Sequence, residues 1–118
     1  MTRYLAVFTG TEAARKASGW DELSDEQRQR REAEGISAWR DWMATHEASV
    51  AVGGGPLGAT KRVSNQGVAD TTNNLVGYVV IEADSHAAAA GLFENHPHFS
   101  IFPGEAVEIM ECLPTPGD

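Results

Sequence analysis

Cysteine is almost absent from this chain of 118 residues, in which Cys112 is the only one. A single thiol cannot form an internal disulfide, and by itself it cannot make a cysteine-based zinc site. Such sparing use of cysteine is typical of a reducing compartment, so we expect a cytoplasmic protein. No basic residue stands near Cys112 in the sequence to lower the pKa of its thiol, and we assign it no catalytic role.

Long hydrophobic runs are also missing. The apolar stretch at residues 4–8 is too short for a signal peptide, and no segment reaches the roughly eighteen apolar residues of a membrane span. Hydrophobic residues make up 42% of the chain and charged residues 22%, which is ordinary for a globular domain. We therefore expect one domain over residues 1–113, a C-terminal tail over residues 114–118, and no membrane partner.

Basic residues are missing from the second half of the chain. All nine Lys and Arg residues lie within residues 1–62, where nine acids balance them, so the net charge of −8 belongs to the remainder. Such a surface repels a phosphate backbone, and we expect no nucleic-acid partner. We interpret most of these acids as solvated residues that keep the protein soluble. The same acid excess predicts a raised pKa for the histidines of this half, His86, His96 and His98.

Hydrophobic periodicity predicts alternating strands and helices. Arg3 to Thr9 is apolar on both faces, as in a central strand, and Leu75 to Ala83 is the strongest strand pattern in the chain. The capping-box pattern at Ser24 to Gln27 predicts a long helix to about residue 47, with Ile36, Trp39, Met43 and His46 on one face. Further elements are predicted as short strands at 50–52, 59–63 and 106–112 and a helix at 86–94. Because both faces of the strand at 75–83 are mainly apolar, we expect its second face to meet the sheet of a second subunit.

The glycine-rich segment from Gly53 to Gly58 formally satisfies the G-x-G-x-x-G nucleotide-binding pattern. That motif requires a helix immediately after it to receive the phosphates. Here Pro56 intervenes and the following residues look extended, while Ala59 stands where a Walker loop requires Lys. We interpret the glycines as a turn or bulge, and we expect no cofactor.

The predicted order of elements is strand, helix, strand, strand, strand, helix, strand, which is a ferredoxin-like α+β layout with the helices on one face of an antiparallel sheet. Over nearly its whole length the chain resembles the YCII-related family, especially its DGPF-motif branch. The segments that carry the resemblance are Val52 to Leu57, Ala69 to Thr71 with Leu75 to Tyr78, and Glu105 to Ile109. Where that branch has Asp-Gly-Pro-Phe, this chain has Asn65 to Val68, so an acidic role of that Asp is absent. The resemblance implies a dimeric α+β barrel with two sheets packed face to face, in a family whose members mostly lack an established activity.

A His-Pro-His corner, His96-Pro97-His98, separates the last predicted helix from the last strand. Histidine titrates near neutral pH, so we predict that His96 and His98 act as acid/base catalysts on a small molecule in a barrel pocket. With Glu94 the two histidines make only a weak metal pattern, because Pro97 fixes the connection and no histidine pair on a helix supports it. We therefore predict no metal.

Three further side chains are candidate substrate-binding groups. Tyr78 could orient a substrate, Asp70 could partner a histidine, and Lys61 could supply a cation. Together with the histidines they describe a small-molecule-binding protein or a cofactor-independent enzyme.

An alternative hypothesis is a non-catalytic dimeric binding or interaction module. Phe99, Ile101 and Phe102 follow the histidines closely and must be covered, either over the sheet or at a subunit contact. If residues 96–102 form an interface, Phe99→Ala or Phe102→Ala should break the dimer. If they line a site, substitution of the histidines should leave the oligomeric state unchanged.

Overall fold

A four-stranded antiparallel sheet forms the centre of the protein, seen in a computed structural model that describes residues 1–117. The strands are β1 Thr2–Thr9, β2 Val50–Pro56, β3 Thr60–Ser64, β4 Gly67–Thr71, β5 Leu75–Ala83 and β6 Ala106–Glu111. The helices are α1 Glu12–Ser18, α2 Asp25–Thr45, α3 His86–Gly91 and α4 Pro97–Ser100, with 3-10 turns at Trp20–Glu22 and Glu47–Ser49. The sheet order is β2-β5-β1-β6, and β3 and β4 form a separate hairpin.

The helices cover one face of this sheet, and the hydrophobic core lies between the two layers. Alternate residues of β1 and β5 point into it and meet side chains from α2 and α3; the buried cluster comprises Tyr4, Ala6, Phe8, Trp42, Val79, Ile81, Ala83, Ala89 and Phe93. The strand order places the two central strands, β1 and β5, side by side between β2 and β6. The predicted ferredoxin-like α+β fold is therefore confirmed.

Helix α2 begins as its capping box predicts. The Ser24 Oγ accepts a hydrogen bond from the Gln27 N–H at 3.1 Å, and the Ser24 N–H donates to the Gln27 side chain at 2.9 Å. The predicted apolar face was wrong in part, because Ile36 is 49% exposed whereas Trp42 is buried. The Trp42 indole N–H donates to the Leu92 carbonyl at 2.9 Å, so Trp42 lies on the side of the helix that faces the core.

The glycine-rich segment is a bulged edge strand, as predicted. The register of β2 against β5 shifts between Val50 and Val52 and again between Val52 and Gly55. Gly54 takes a φ of 64°, a left-handed conformation that L side chains rarely adopt. No helix follows the glycines, because the next element is β3.

The connection that follows the last predicted helix, beginning at His96, contains the short helix α4. Pro97 occupies its first turn, where its missing N–H costs no hydrogen bond, and the His96 side chain caps it by accepting from the His98 N–H. A histidine cap lies outside the Ser, Thr, Asp and Asn residues that usually signal a helix start. Most of the segment is covered within the same subunit, although Phe99 remains 39% exposed.

The β3-β4 hairpin extends away from the rest of the chain. Its strands pair only with each other, and all but one of their residues are exposed. The radius of gyration, 16.3 Å, reflects this extension, since a compact chain of this length has about 13 to 14 Å. Within residues 1–117 no helix has both the length and the apolarity required to cross a membrane. Asp118, the end of the predicted tail, lies outside the described residues.

Candidate functional site

The largely apolar cavity of the protein lies between helix α2, the edge of the sheet at β2 and β5, and helix α4. Its volume is about 410 Å³. The walls are mainly aromatic and aliphatic, and they include Phe8, Trp39, Trp42, Met43, Val79 and Phe102. Two lining residues bring charged or titratable side chains, namely Arg40 and His98. Tyr78 borders the cavity from strand β5, where the alternation places its side chain on the same sheet face as Val80. An apolar hollow with a few polar groups is the usual form of a small-molecule site.

The size of this cavity is explained by the residues on its two sides, helix α2 and strand β2. Helix α2 presents Trp39 and Met43 one turn apart, so both reach the same hollow. On the opposite side Gly53 and Gly55 of the bulged strand β2 contribute no side chains. The run of glycines therefore leaves room for a ligand where an ordinary strand would fill the volume.

His98 is held by its Nε2 atom. That nitrogen lies 2.8 Å from the Thr9 carbonyl oxygen, and because a carbonyl only accepts, Nε2 carries the proton. The Nδ1 atom is then the unprotonated nitrogen of the neutral ring. Within residues 1–117 it has no hydrogen-bond partner, and it is not among the polar atoms sealed from solvent. Burial lowers the pKa of His98, and the bond to Thr9 opposes this only in part. The ring is therefore neutral near pH 7.

Gly104 supports the same ring from behind. A Cβ at this position would collide with the Cε1 and Nε2 atoms of His98 and with its carbonyl oxygen. The Gly104 N–H also donates to that carbonyl at 2.9 Å. One edge of the imidazole is thus packed against backbone, while Nδ1 has no partner among the described residues.

His96 lies behind the cavity and does not line it. Its side chain is 1% exposed and packs between Trp39 and Trp42, with ring centroids 4.6 and 4.9 Å away. Its Nδ1 accepts the His98 N–H at 3.0 Å, so the proton of the neutral ring is on Nε2, which has no partner within the described residues. Burial, assisted by the positive charges of His98 and His46 when they are protonated, lowers the pKa of His96 to about 4.

The raised pKa expected from the local acid excess is therefore wrong for His96 and His98. Both rings are buried, and burial disfavours the charged form. The acids of the second half are mainly at the surface, where water and salt screen them. Desolvation of the rings therefore outweighs the attraction of these surface carboxylates.

The other three predicted site residues are divided between two places. Tyr78 lines the cavity together with His98. Lys61 and Asp70 lie on the exposed β3-β4 hairpin and pair with each other at 2.6 Å. The Asp70 carboxylate thus faces Lys61 and no histidine, and both residues border a separate groove beside the hairpin.

Sequence reasoning missed Arg40 and Trp42 as residues of this cavity. Arg40 follows Ile36 by four positions and precedes Met43 by three, so the helical spacing could have placed it on the same face. Trp42 follows Trp39 by three positions and precedes His46 by four, so the same spacing could have placed it there as well. Within residues 1–117 no group of three or more His, Cys, Asp or Glu side chains is arranged to hold a metal ion.

Comparison with known proteins supports the fold. No protein-family model matches the chain, and no curated protein matches it in sequence. Among solved structures it is similar to the 5-chloro-2-hydroxyhydroquinone dehydrochlorinase TftG from Burkholderia phenoliruptrix, determined in complex with 2,5-dihydroxybenzoquinone. The TM-score is 0.52 at 16% sequence identity, over 91% of this chain and 89% of that one. At this identity the likeness shows a shared fold.

Proposed function

We propose that this protein binds a small apolar or aromatic molecule in the cavity between α2 and the sheet, and that His98 acts on it as a general base. The observation that carries the proposal is the position of the His98 ring on the wall of an apolar cavity of about 410 Å³. Its Nε2–H is committed to Thr9, which leaves Nδ1 as a neutral acceptor. A neutral imidazole near pH 7 is suited to remove a proton from a bound ligand.

The remaining polar residues have supporting roles in this proposal. Tyr78 borders the same cavity from strand β5 and packs beside the ligand in this proposal. His96 is a positioning residue, because its Nδ1 holds the backbone N–H of His98. The aromatic walls exclude water and so strengthen polar interactions with the ligand. The ligand in the solved structure of TftG is a small ring compound, which supports an occupant of similar size here.

Filling the cavity should abolish ligand binding. Gly53 lines the cavity, and a Cβ there would lie 4.0 Å from the Met43 methyl group, so Gly53→Leu can extend into the space without a backbone collision. We expect a thermal-shift screen of quinones, phenols, lactones and aromatic acids, started with 2,5-dihydroxybenzoquinone, to stabilise the wild type. The same compounds should leave the melting temperature of Gly53→Leu unchanged.

Gly91→Leu is the matched control for this experiment, since nothing lies within 4 Å of a Cβ there and the residue does not line the cavity. If Gly53→Leu binds the same compounds as the wild type, the cavity is not the site. For a compound that the wild type converts, His98→Gln should retain binding but reduce kcat by about 10²-fold or more. Binding without conversion by the wild type would favour the alternative, a non-catalytic binding module.

We also propose a homodimer through the sheet face opposite the helices. This face carries Leu5, Val7, Val80 and Met110, and none of them belongs to the core cluster between sheet and helices. Val7 is already buried, whereas Leu5 and Val80 are half-buried and Met110 is 43% exposed, so these three leave apolar surface that a second copy could cover. The extended β3-β4 hairpin and the large radius of gyration also support a dimer, because an isolated two-stranded hairpin is marginally stable unless another surface packs against it.

Analytical ultracentrifugation tests the dimer. We expect a dimer at micromolar concentration, and we expect Val80→Lys to yield a folded monomer because it places a charge on the apolar face. Ala87→Lys, on the exposed surface of α3, should remain dimeric. A wild-type monomer at these concentrations would contradict the proposal.

Two broader assignments remain proposals. We infer that the chain is a member of the YCII-related family, on the segments named above and on its ferredoxin-like fold. We also propose a cytoplasmic location for its single domain, which the near absence of cysteine supports.

A further inference from the structure

We infer that the occupant of the cavity carries a negative charge, and that Arg40 binds its acidic group. The ligand class is then a small aromatic or apolar acid, with a ring in the cavity and a carboxylate or enolate at the guanidinium. This inference rests on the proposed function and adds a charge and an orientation to the ligand.

The first support is that Arg40 has no acidic partner in the described part of the chain. Several other basic residues pair with carboxylates at 2.6 to 3.5 Å, namely Arg3, Arg15, Arg28, Arg30 and Lys61. Within residues 1–117 no carboxylate lies within 4.0 Å of the Arg40 guanidinium. Its five donors are therefore available to a ligand.

The second support is the charge of the cavity wall, which is opposite to that of the protein. The chain has a net charge of −8, yet no Asp or Glu of residues 1–117 lines this cavity. Among the described residues that line the cavity, Arg40 carries the one fixed charge, beside the neutral His98. A protein with this overall charge repels small anions. A local cation without nearby acids is the arrangement that lets a small anion bind in the cavity.

The third support is the placement of Arg40 along α2. Arg40 is exposed, its neighbour Trp39 is half-buried, and both line the cavity. A long side chain of this kind packs its stem on apolar surface and keeps its charged end in water. The guanidinium therefore stands at the mouth, where it can bind a carboxylate bidentately while the ring of the ligand lies on the aromatic walls.

A more polar hollow on the other side of His98 is the competing location for an anion. Arg15 lines it. However, the Arg15 Nε already donates to both oxygens of the Asp21 carboxylate, at 2.9 and 3.1 Å. Glu12 also borders this hollow, which makes it less favourable for a negative group. Arg40 is thus the better candidate.

The test compares two probes of the same shape, 2-naphthoate and 2-naphthamide, by isothermal titration calorimetry at low salt. We expect the wild type to bind the acid about five to ten times more tightly than the amide, as a partly exposed charge-assisted contact would give. Arg40→Gln should remove this preference and leave the affinity for the amide unchanged. Arg30→Gln makes the same charge change on the exposed part of the same helix and should keep the preference.

The outcomes separate this inference from the proposed function. If both probes bind equally to the wild type, or if Arg40→Gln keeps the preference, the role of Arg40 is wrong while the cavity remains the site. If Arg15→Gln removes the preference instead, the anion binds in the polar hollow. If neither probe binds, or if Gly53→Leu binds both as the wild type does, the cavity itself is not the site and both proposals fail.

Discussion

Replacing Gly54 with alanine is expected to lower the free energy of unfolding by about 3 kcal/mol or more, since two costs add. Gly54 has a φ of 64°, where an alanine is strained by about 1 to 2 kcal/mol. In addition, a Cβ at this position would overlap the Tyr78 carbonyl oxygen and approach the Val79 Cα to 3.1 Å. These are backbone atoms of the central strand β5, so the collision cannot be relieved by moving a side chain. Urea unfolding at pH 7 measures the change.

Gly55→Ala is the matched control for this prediction. Gly55 lies in the same strand, has no positive φ and has nothing within 4 Å of a built Cβ. It should change the free energy of unfolding by less than about 1 kcal/mol. Equal stability of the two variants would show that the bulge tolerates a side chain and would contradict the close approach of Gly54 to β5. Because Gly53 and Gly55 line the cavity, we also expect Gly54→Ala to weaken ligand binding.

Most of the fold could be predicted from sequence because its signals are local. The capping box at Ser24 and Gln27 and the alternation along β5 each lie within a few residues of the element that they specify. The bulge of β2 could be predicted from its glycines and from Pro56, which together exclude a nucleotide-binding turn. Helix α4 was not predicted because its cap is His96, which is not a usual capping residue. The buried face of α2 differs from the predicted one in including Trp42, whose hydrogen bond to Leu92 joins residues 50 positions apart.

The candidate site was less predictable, because it depends on contacts between distant parts of the chain. The His-Pro-His corner led to His98, but its tautomer is set by Thr9, which lies 89 positions earlier. Lys61 and Asp70 had suitable chemistry, yet the hairpin turns them toward each other. The charge pattern of the second half misled the pKa prediction, since it contains no information on burial. The helical spacing puts Arg40 on the face of Ile36 and Met43, but only the packing of α2 against β2 and β5 makes that face the wall of a cavity.

Acid should destabilise this protein through His96 well before its carboxylates are neutralised. The pKa of His96 is lowered from 6.5 to about 4 in the folded chain. Between these two pH values the unfolded chain therefore binds a proton at His96 that the folded chain does not bind. The stability from this group is complete above pH 6.5 and falls progressively between pH 6.5 and pH 4. For His96 alone the loss is about 2 kcal/mol between pH 7 and pH 5 and about 3 kcal/mol below pH 4. The lowered pKa of His98 acts in the same direction.

Urea unfolding of the wild type and His96→Asn at pH 7 and pH 5 measures this effect. Asparagine can still cap α4, but it is smaller than histidine and leaves part of the space between Trp39 and Trp42 empty. The variant should therefore be less stable at pH 7. Its further loss on acidification should be about 2 kcal/mol smaller than that of the wild type. Equal losses in the two proteins would be inconsistent with a buried neutral His96. An NMR titration of the folded wild type gives an independent answer, because a His96 midpoint near 6.5 would contradict the lowered pKa.

Protonation of His96 should also change the geometry of the candidate site. The added proton goes to Nδ1, the atom that accepts the His98 N–H, so two donors would then face each other at 3.0 Å. This removes the side-chain cap of α4 and displaces the backbone of His98, whose ring lines the cavity. We therefore expect ligand affinity to decrease over the same pH range in which stability decreases. In His96→Asn, where the cap cannot be protonated, the part of this decrease that comes from His96 should be absent.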